Sequence, residues 1–396
     1  MPGKYPSSVS SFIYRNDSQN GKIEFTDVTA KICSGLQNIG MVCDAVWTDF
    51  DNDGATDLII AGEWMPVTFF KNKDSRFENI NAQTGIGNQT GWWNSITAGD
   101  FDNDGDMDYV AGNLGRNAFL RTTESLPVKV YAKDFDKNDN IDAVVTTYMN
   151  DQHGEKKEFP MLGRDEIMSQ MPVLKKQFLT YKEFAVADIN RIFTKEQLND
   201  ALVLRANNFS SCYIQNNGNN KFELKSLPPM AQLAPLYGMV ADDFNDDGKL
   251  DIAMCGNDYG NEVSAGRYDA MNGLLLLGDG KGNFKPEPIT QSGLFINGDA
   301  KALISVSGLN NTYFLAASQN RGPLKFFRMR KKTSVIKANA NDVYAIIQLK
   351  NGKTRKQEFY YGTSHLSQSS RFLSAGDAVK SIQIFNNKGQ QRLVNF

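Results

Sequence analysis

An apolar segment runs into a short acidic loop four times in this chain of 396 residues. In each nine-residue loop, Asp or Asn occupies positions 1, 3, 5 and 9. Like charges this close together are unfavourable unless a cation lies between them. The four copies are loop 1 (49–57), loop 2 (100–108), loop 3 (134–142) and loop 4 (243–251). The pattern constrains the chain to repeated strand–loop–strand units.

Oxygen ligands around one point favour a hard cation of variable coordination number, so we predict Ca²⁺ at about four sites. Position 7 contributes a backbone carbonyl. Strands rather than helices flank the loops, unlike in an EF-hand. The alternative is a set of hairpin turns that are acidic only for solubility. The predicted ligands are Asp49, Asp51, Asp53, Ala55 and Asp57; Asp100, Asp102, Asp104, Asp106 and Asp108; Asp134, Asp136, Asn138, Asn140 and Asp142; and Asp243, Asn245, Asp247, Lys249 and Asp251.

The four loops are not equivalent. Glycine supplies the sharp turn at position 6 in three of them, whereas loop 3 has Asp139 there. Asn138 and Asn245 each remove one ligand charge, which weakens calcium binding at loops 3 and 4. We therefore expect loops 1 and 2 to bind most tightly.

The loops belong to a longer repeat of about 40 residues, a period typical of propellers. We predict an all-β chain with about seven four-stranded blades, the first incomplete. The incomplete blade indicates either a fragment of a longer chain or a blade completed by C-terminal strands. Residues 164–177 are interpreted as an inserted helix, and the unit at 181–232 as one without its acidic loop. The predicted units are 1–30, 41–90, 91–128, 129–180, 181–232, 233–294 and 297–330.

After residue 332 the character of the sequence changes. Short predicted strands alternate with Asn-Gly and Lys-Gly turns, and the acidic loop does not recur. We predict two domains, a propeller at 1–332 and a small β-sandwich-like domain at 333–396.

Two segments resemble known families. The Asp-Phe-Asp-Asn-Asp-Gly units are similar to FG-GAP/VCBS repeats, the blades of integrin-like calcium propellers. The segment Gly-Thr-Ser-His-Leu-Ser-Gln-Ser-Ser-Arg at 362–371 is similar to the ASPIC and UnbV domain of cartilage acidic protein-like and bacterial surface proteins. The resemblance implies a calcium-stabilised propeller used for adhesion or binding outside the cell.

Composition limits the other possibilities. The formal net charge is −2 and the basic residues are scattered, so we expect no nucleic-acid partner. We find neither an apolar run of membrane-spanning length nor a secretory signal at the start. The four cysteines lack metal-ligand spacing and are predicted to be mainly buried thiols. Weak sites fill at millimolar calcium, which favours an extracellular, periplasmic or cell-surface location. We expect a monomer.

A ligand is expected on the face opposite the loops. Turns after the second strands and connections between blades converge there, and they carry amide, arginine and aromatic side chains suited to a glycan or protein ligand. The alternative is that Trp92 and Trp93 are core residues and that the amides only cap strand ends. The candidates are Glu63, Trp64, Trp92, Trp93, Arg116, Asn117, Tyr259, Glu262, Arg267, Tyr268, Asp269, Asn320 and Arg321.

Catalysis is not predicted. His153 and His365 are expected in exposed turns, and catalytic or phosphate-binding motifs are not found in the sequence. The expected function is non-catalytic recognition, with calcium mainly structural. The alternatives are a polysaccharide lyase or glycosidase built on a propeller, and a scaffold for a surface complex.

Overall fold

Small antiparallel sheets make up most of the molecule. The computed structural model describes residues 4–261, 266–330 and 333–396. The described chain begins with a hairpin and a short helix, β1 (Tyr14–Asn16), β2 (Phe25–Asp27) and α1 (Thr29–Ile32), followed by a 3-10 turn at Ser34–Leu36.

The first complete sheet, sheet one, has the predicted four-stranded form. Loop 1 joins its first two strands, and the second strand is buried along nearly all of its length because both faces are covered. A fifth strand, β7 (Thr90–Trp92), pairs with the far end of the second strand, and α2 (Asn81–Thr84) precedes it. The four strands are β3 (Met41–Thr48), β4 (Asp57–Pro66), β5 (Thr68–Lys73) and β6 (Arg76–Asn79).

Sheet two corrects the predicted unit boundaries. Its strands are β8 (Ser95–Gly99), β9 (Asp108–Gly112), β14 (Cys212–Asn216) and β15 (Phe222–Ser226), so its third strand arrives about a hundred residues after its second. The segment predicted as the end of a separate unit at 181–232 therefore completes the unit that begins at 91. Pairing of β14 with β9 places Tyr213 opposite Val110.

Residues 113–211 form an insertion with its own sheet, in strand order β12-β11-β10-β13. Loop 3 joins β10 to β11, so it belongs to the insertion rather than to one of the successive four-stranded units. The predicted helix at 164–177 is present as a helix and a 3-10 turn, Pro172–Lys176, separated at Met171. The elements are β10 (Val128–Lys133), β11 (Asp142–Asn150), β12 (Lys156–Pro160), α3 (Arg164–Gln170), α4 (Tyr181–Ala185), α5 (Ile189–Ile192), α6 (Lys195–Asn199) and β13 (Leu202–Ala206).

Two further sheets follow, with loop 4 between the first two strands of sheet three. The first strands of the four sheets, β3, β8, β16 and β20, adjoin one another in succession, as the inner strands of propeller blades do. The all-β propeller prediction is confirmed, whereas the count of about seven blades is not. Sheet three has β16 (Leu236–Asp242), β17 (Asp251–Gly256), β18 (Leu274–Gly278) and β19 (Phe284–Glu287); sheet four has β20 (Ala300–Ser307), β21 (Tyr313–Gln319) and β22 (Lys325–Arg328). A 3-10 turn, Pro229–Gln232, precedes sheet three, and α7 (Ile289–Ser292) follows it.

The C-terminal strands pair only with one another in the described parts of the chain. They form a two-stranded sheet, β23-β26, and a four-stranded sheet, β25-β24-β27-β28, which share an apolar cluster that includes Ile347, Leu373 and Ile382. The domain boundary at 332 stays a prediction. The strands are β23 (Ser334–Lys337), β24 (Asp342–Leu349), β25 (Thr354–Glu358), β26 (Phe372–Ala375), β27 (Val379–Asn386) and β28 (Gln391–Asn395).

Candidate metal centre and ligand face

Each acidic loop is wrapped around its position-1 carboxylate. In loop 1, Asp49 accepts hydrogen bonds from the N–H groups of Asp53 (3.1 Å) and Gly54 (3.0 Å). Asp134 and Asp243 accept from the equivalent N–H groups of loops 3 and 4. The backbone reaches this shape through positive φ at positions 4 and 6, including Asp139 at +65°. The four loops therefore share one backbone geometry.

The position-9 aspartates attach the loops to the sheets. Asp57, Asp108 and Asp251 are fully buried, and each accepts the N–H of a third-strand residue, from Asn72 (2.7 Å), Asn216 (2.8 Å) and Gly278 (2.9 Å) respectively. Burial raises the pKa of Asp57 to about 7 and that of Asp108 to about 8. These carboxylates are costly to ionise without a cation nearby.

Position 3 provides the observation that best fits a metal. The Oδ1 atoms of Asp51, Asp102 and Asp136 are buried and lack a hydrogen-bond partner. Buried polar atoms are ordinarily satisfied, so the same unpartnered oxygen in three loops needs an explanation. A cation at the loop centre supplies the missing partner.

The carboxylates also converge. In loops 1, 2 and 3, one oxygen from each of three aspartates lies within 4.8 Å of the others. The sets are Asp49, Asp51 and Asp57; Asp100, Asp102 and Asp104; and Asp134, Asp136 and Asp142. Loop 4 has an amide, Asn245, at position 3. An all-oxygen donor set of this kind can hold a hard divalent cation.

The position-5 side chains accept hydrogen bonds from the backbone of their own loops. Asp53, Asp104, Asn138 and Asp247 accept the N–H groups of the position-7 residues at 2.8–3.0 Å. Those position-7 residues are Ala55, Asp106, Asn140 and Lys249, whose carbonyls stay predicted ligands. Asp106 also accepts a hydrogen bond from Asn52 of loop 1, so loops 1 and 2 touch.

The ammonium groups of two lysines lie against loop carboxylates, which was not predicted; Lys249 was expected to offer only its carbonyl. The Lys71 ammonium is ion-paired with Asp51 and lies 3.3 Å from Asp53 Oδ2, while Lys249 lies 3.0 Å from Asp247 Oδ2. Lys71 follows loop 1 by fourteen positions, on the third strand. The register of a third strand was the only signal that could have identified it.

The predicted ligand face is partly covered by the insertion. Trp93 is fully buried, as the core alternative predicts, and Trp64, which was expected on the ligand face, is only 5 % exposed. A register shift between Glu63 and Met65 lets the Trp64 indole pack beneath insertion residues, together with Trp92. The sequence could not show this because the insertion was read as separate blades.

A mixed cluster remains at the ends of the strands far from loops 1 and 4. We call Glu63, Tyr237, Asp258, Lys301 and His365 the Lys301 cluster. The Lys301 ammonium lies 3.5 Å from Asp258 Oδ1 and 3.9 Å from the centre of the Tyr237 ring. The Tyr237 hydroxyl lies 3.3 Å from Asp258 Oδ2. Only Glu63 of this set was predicted.

Glu63 and His365 complete the Lys301 cluster. Burial, with a smaller contribution from the Asp258 charge, raises the pKa of Glu63. The His365 ring lies 5.0 Å from that of Tyr237, and its Nδ1 is 3.0 Å from the Asn94 carbonyl. The His365 side chain is half-buried, whereas an exposed turn residue was expected. Burial lowers the pKa of its imidazole.

Most other candidates lie at the surface but do not gather into one site. Arg116 donates to the hydroxyls of Ser210 and Ser226, and Asn117 to the Leu233 carbonyl. The Arg267 guanidinium lies 4.9 Å from the Tyr259 ring centre, and Asn320 donates to Asp299. Tyr268 is half-buried, Asp269 and Arg321 are exposed, and Glu262 lies outside the described residues.

The C-terminal region packs against the acidic loops. The Lys356 N–H donates to Asp100 Oδ2 (2.8 Å), and Glu358 accepts from the Thr48 hydroxyl (2.9 Å) and the Asp49 N–H (3.2 Å). Arg355 donates to the Gly248 carbonyl of loop 4 at 3.2 Å. Loops 1, 2 and 4 therefore all touch β25.

Comparison with known families supports the repeat. The family described as FG-GAP-like repeat matches residues 49–111, which contain loops 1 and 2 and the strands between them. The match does not reach residues 333–396, whose similarity to the ASPIC and UnbV domain stays a prediction. No curated protein matches the chain. Within the described residues, the helices are too short or too polar to cross a membrane.

Proposed function

We propose that this protein is a non-catalytic, calcium-binding propeller that works outside the cell or in the cell envelope and recognises a glycan or protein ligand. The unpartnered, buried Oδ1 atom at position 3 of three loops carries the metal part of the proposal. The FG-GAP-like match supports the extracellular setting, because such repeats are typical of extracellular proteins. In this proposal calcium stabilises the acidic loops that join the strands of the blades, and the ligand binds at a different part of the surface.

Calcium should stabilise the folded protein. The unfolded chain does not preform the loops, so each site filled at about a hundred times its dissociation constant adds about 2.7 kcal/mol. Thermal melts with calcium, with magnesium and with a chelator measure the effect. Asp102→Asn should reduce the calcium-dependent shift, whereas Asp74→Asn, in an exposed turn, should leave it unchanged. Equal melting temperatures with calcium and with chelator would contradict the metal assignment.

The Lys301 cluster is the proposed recognition site. It combines a cation, two carboxylates and an aromatic ring in half-buried surroundings, which is the mixture that orients a polar ligand. A glycan array and a peptide library are screened with the calcium-loaded protein. Glu63→Gln should weaken binding of any hit by about tenfold, and Glu78→Gln, on the exposed edge of sheet one, should not. A hit that Glu63→Gln and Asp258→Asn leave unaffected would move the site elsewhere.

A further inference from the structure

The third strands of sheets one, two and three present equivalent residues to their loops. Asn72, Asn216 and Gly278 all donate their N–H groups to position-9 aspartates. The residues immediately before them therefore occupy one structural position. They are Lys71, Gln215 and Leu277.

These three equivalent residues differ in charge. Lys71 places an ammonium against Asp51 and Asp53 of loop 1. Gln215 offers a neutral amide, whose Nε2 donates to Asp102 Oδ2 of loop 2 at 2.8 Å. Leu277 and Asn245 of loop 4 line one depression. Among loops 1, 2 and 4, and within the described residues, loop 1 alone receives a cation from its own third strand.

We propose that Lys71 is an internal counter-ion that competes with Ca²⁺ for loop 1. The inference rests on the proposed calcium binding and refines it. The ammonium already neutralises part of the charge of the four loop 1 aspartates, and an incoming ion must displace it from two of them. Loop 2, with four ligand carboxylates and a neutral neighbour, becomes the tightest site. Loop 1 then binds calcium more weakly than loop 2, although both loops have the same ligand residues at positions 1, 3, 5 and 9.

Neighbouring charges do not provide the same competition. The other lysine beside loop 1, Lys356, is hydrogen-bonded to Asn52 and lies 3.5 Å from Glu358 Oε1. Its charge also acts on Asp49, but none of the described ion pairs joins it to a loop 1 carboxylate. Beside loop 2, Lys225 donates to Gln215 Oε1 and lies 3.7 Å from Glu223. Among the described ion pairs, none joins Lys225 to a carboxylate of loop 2.

Loop 1 is observed with excitation selective for tryptophan, because Trp47 precedes it by two residues. The aromatic ring hydrogen-bonded to loop 2 is a tyrosine, Tyr213, whose hydroxyl donates to Asp108. Trp47 lines the same depression as Asp49 and Thr56, whereas the other tryptophans lie toward the opposite ends of the strands. Terbium bound at loop 1 should be sensitised by Trp47, and calcium competition then gives the affinity of that loop. Isothermal titration with calcium gives the affinities of all sites together.

Lys71→Gln, which copies the loop 2 arrangement, should tighten calcium binding at loop 1 by about tenfold. Lys71→Arg keeps the cation and should keep the weak affinity. Lys73→Gln removes an exposed lysine from the same strand and should change nothing. Equal terbium and calcium affinities in the wild type and Lys71→Gln would overturn the inference while leaving calcium binding itself intact.

Thermal melts provide a second readout. In chelator, Lys71→Gln should melt below the wild type, because loop 1 has lost its counter-ion. In saturating calcium the difference should vanish or reverse. A deficit of equal size in both conditions would show that Lys71 is only a structural ion-pair partner and would overturn the inference. If neither protein binds calcium at all, both this inference and the proposed function are wrong.

Discussion

At the scale of single residues, the backbone of the acidic loops depends on left-handed conformations. Gly54 has a φ of +86°, and a Cβ atom at this position would meet nothing within 4 Å. Any cost of a side chain there is therefore conformational rather than steric. Loop 3 shows that a side chain can be accommodated, since Asp139 adopts a φ of +65° in the same place.

Replacing Gly54 should consequently separate backbone strain from metal ligation. Gly54→Ala should lower the free energy of unfolding by about 1–2 kcal/mol, because alanine disfavours this region. Gly54→Asn should cost less, since asparagine tolerates it better. Urea denaturation in chelator measures both, with Gly35→Ala as the control, since Gly35 lies in a right-handed 3-10 turn where a Cβ atom would make only an ordinary contact with Phe70. A larger loss for asparagine than for alanine would contradict the conformational explanation.

At the scale of strands, the half-buried carboxylate of Asp44 joins the first two sheets. Asp44 on β3 accepts the N–H of Ile96 on β8 at 2.8 Å through Oδ2 and that of Ala45 at 2.8 Å through Oδ1. Burial raises the pKa of Asp44 to about 7, while the two N–H groups oppose the rise. Asp44 thus connects the inner strands β3 and β8, and its carboxyl group has a higher pKa in the folded protein than in the unfolded chain.

The direction of the Asp44 pKa shift determines how the stability of the fold depends on pH. A carboxyl whose pKa is higher when folded stabilises the fold at low pH, and that contribution is lost as pH rises through about 7. In chelator, the stability of the wild type should therefore fall between about pH 5 and pH 8 by more than that of Asp44→Asn. Denaturation midpoints across this range measure the difference. Parallel pH profiles would show that Asp44 ionises normally in the fold.

At the scale of the whole molecule, a buried ion pair on β25 links the C-terminal strands to loop 1. Lys356 Nζ lies 3.5 Å from Glu358 Oε1, and both side chains are 7 % exposed. Burial raises the pKa of Glu358, and the Lys356 charge opposes that rise. Because Glu358 also binds Thr48 and Asp49, the pair connects β25 to loop 1.

Breaking the Lys356–Glu358 ion pair should lower the free energy of unfolding of the protein. Lys356→Met leaves Glu358 buried without its partner and should cost about 3–5 kcal/mol, a typical value for half of a buried pair. The double variant Lys356→Met, Glu358→Gln should recover part of that loss. A double-mutant cycle on thermal or urea unfolding gives the coupling. Additive losses would mean that the two side chains act independently.

The loops were predictable because their information is local. Positions 1, 3, 5 and 9 lie within nine residues, and the structure gives all four copies one backbone shape. The insertion was not predictable in this way, since β10, loop 3 and β11 carry the same pattern as a true unit. Which strand pairs with β9 depends on Tyr213 meeting Val110 across the insertion. Lys71 and the Lys301 cluster likewise depend on register between distant strands.

The long interruption in sheet two bears on how the chain folds as it is synthesised. All five strands of sheet one have been made once residue 92 is synthesised, whereas sheet two also needs residues 212–226. Closing so long a loop carries an entropic cost that an ordered insertion reduces by holding its own ends together. The Gly115 N–H donates to the Phe209 carbonyl at 2.8 Å, which joins those ends directly. The insertion should therefore fold before sheet two closes, and β14 then meets β9 as if after a short turn.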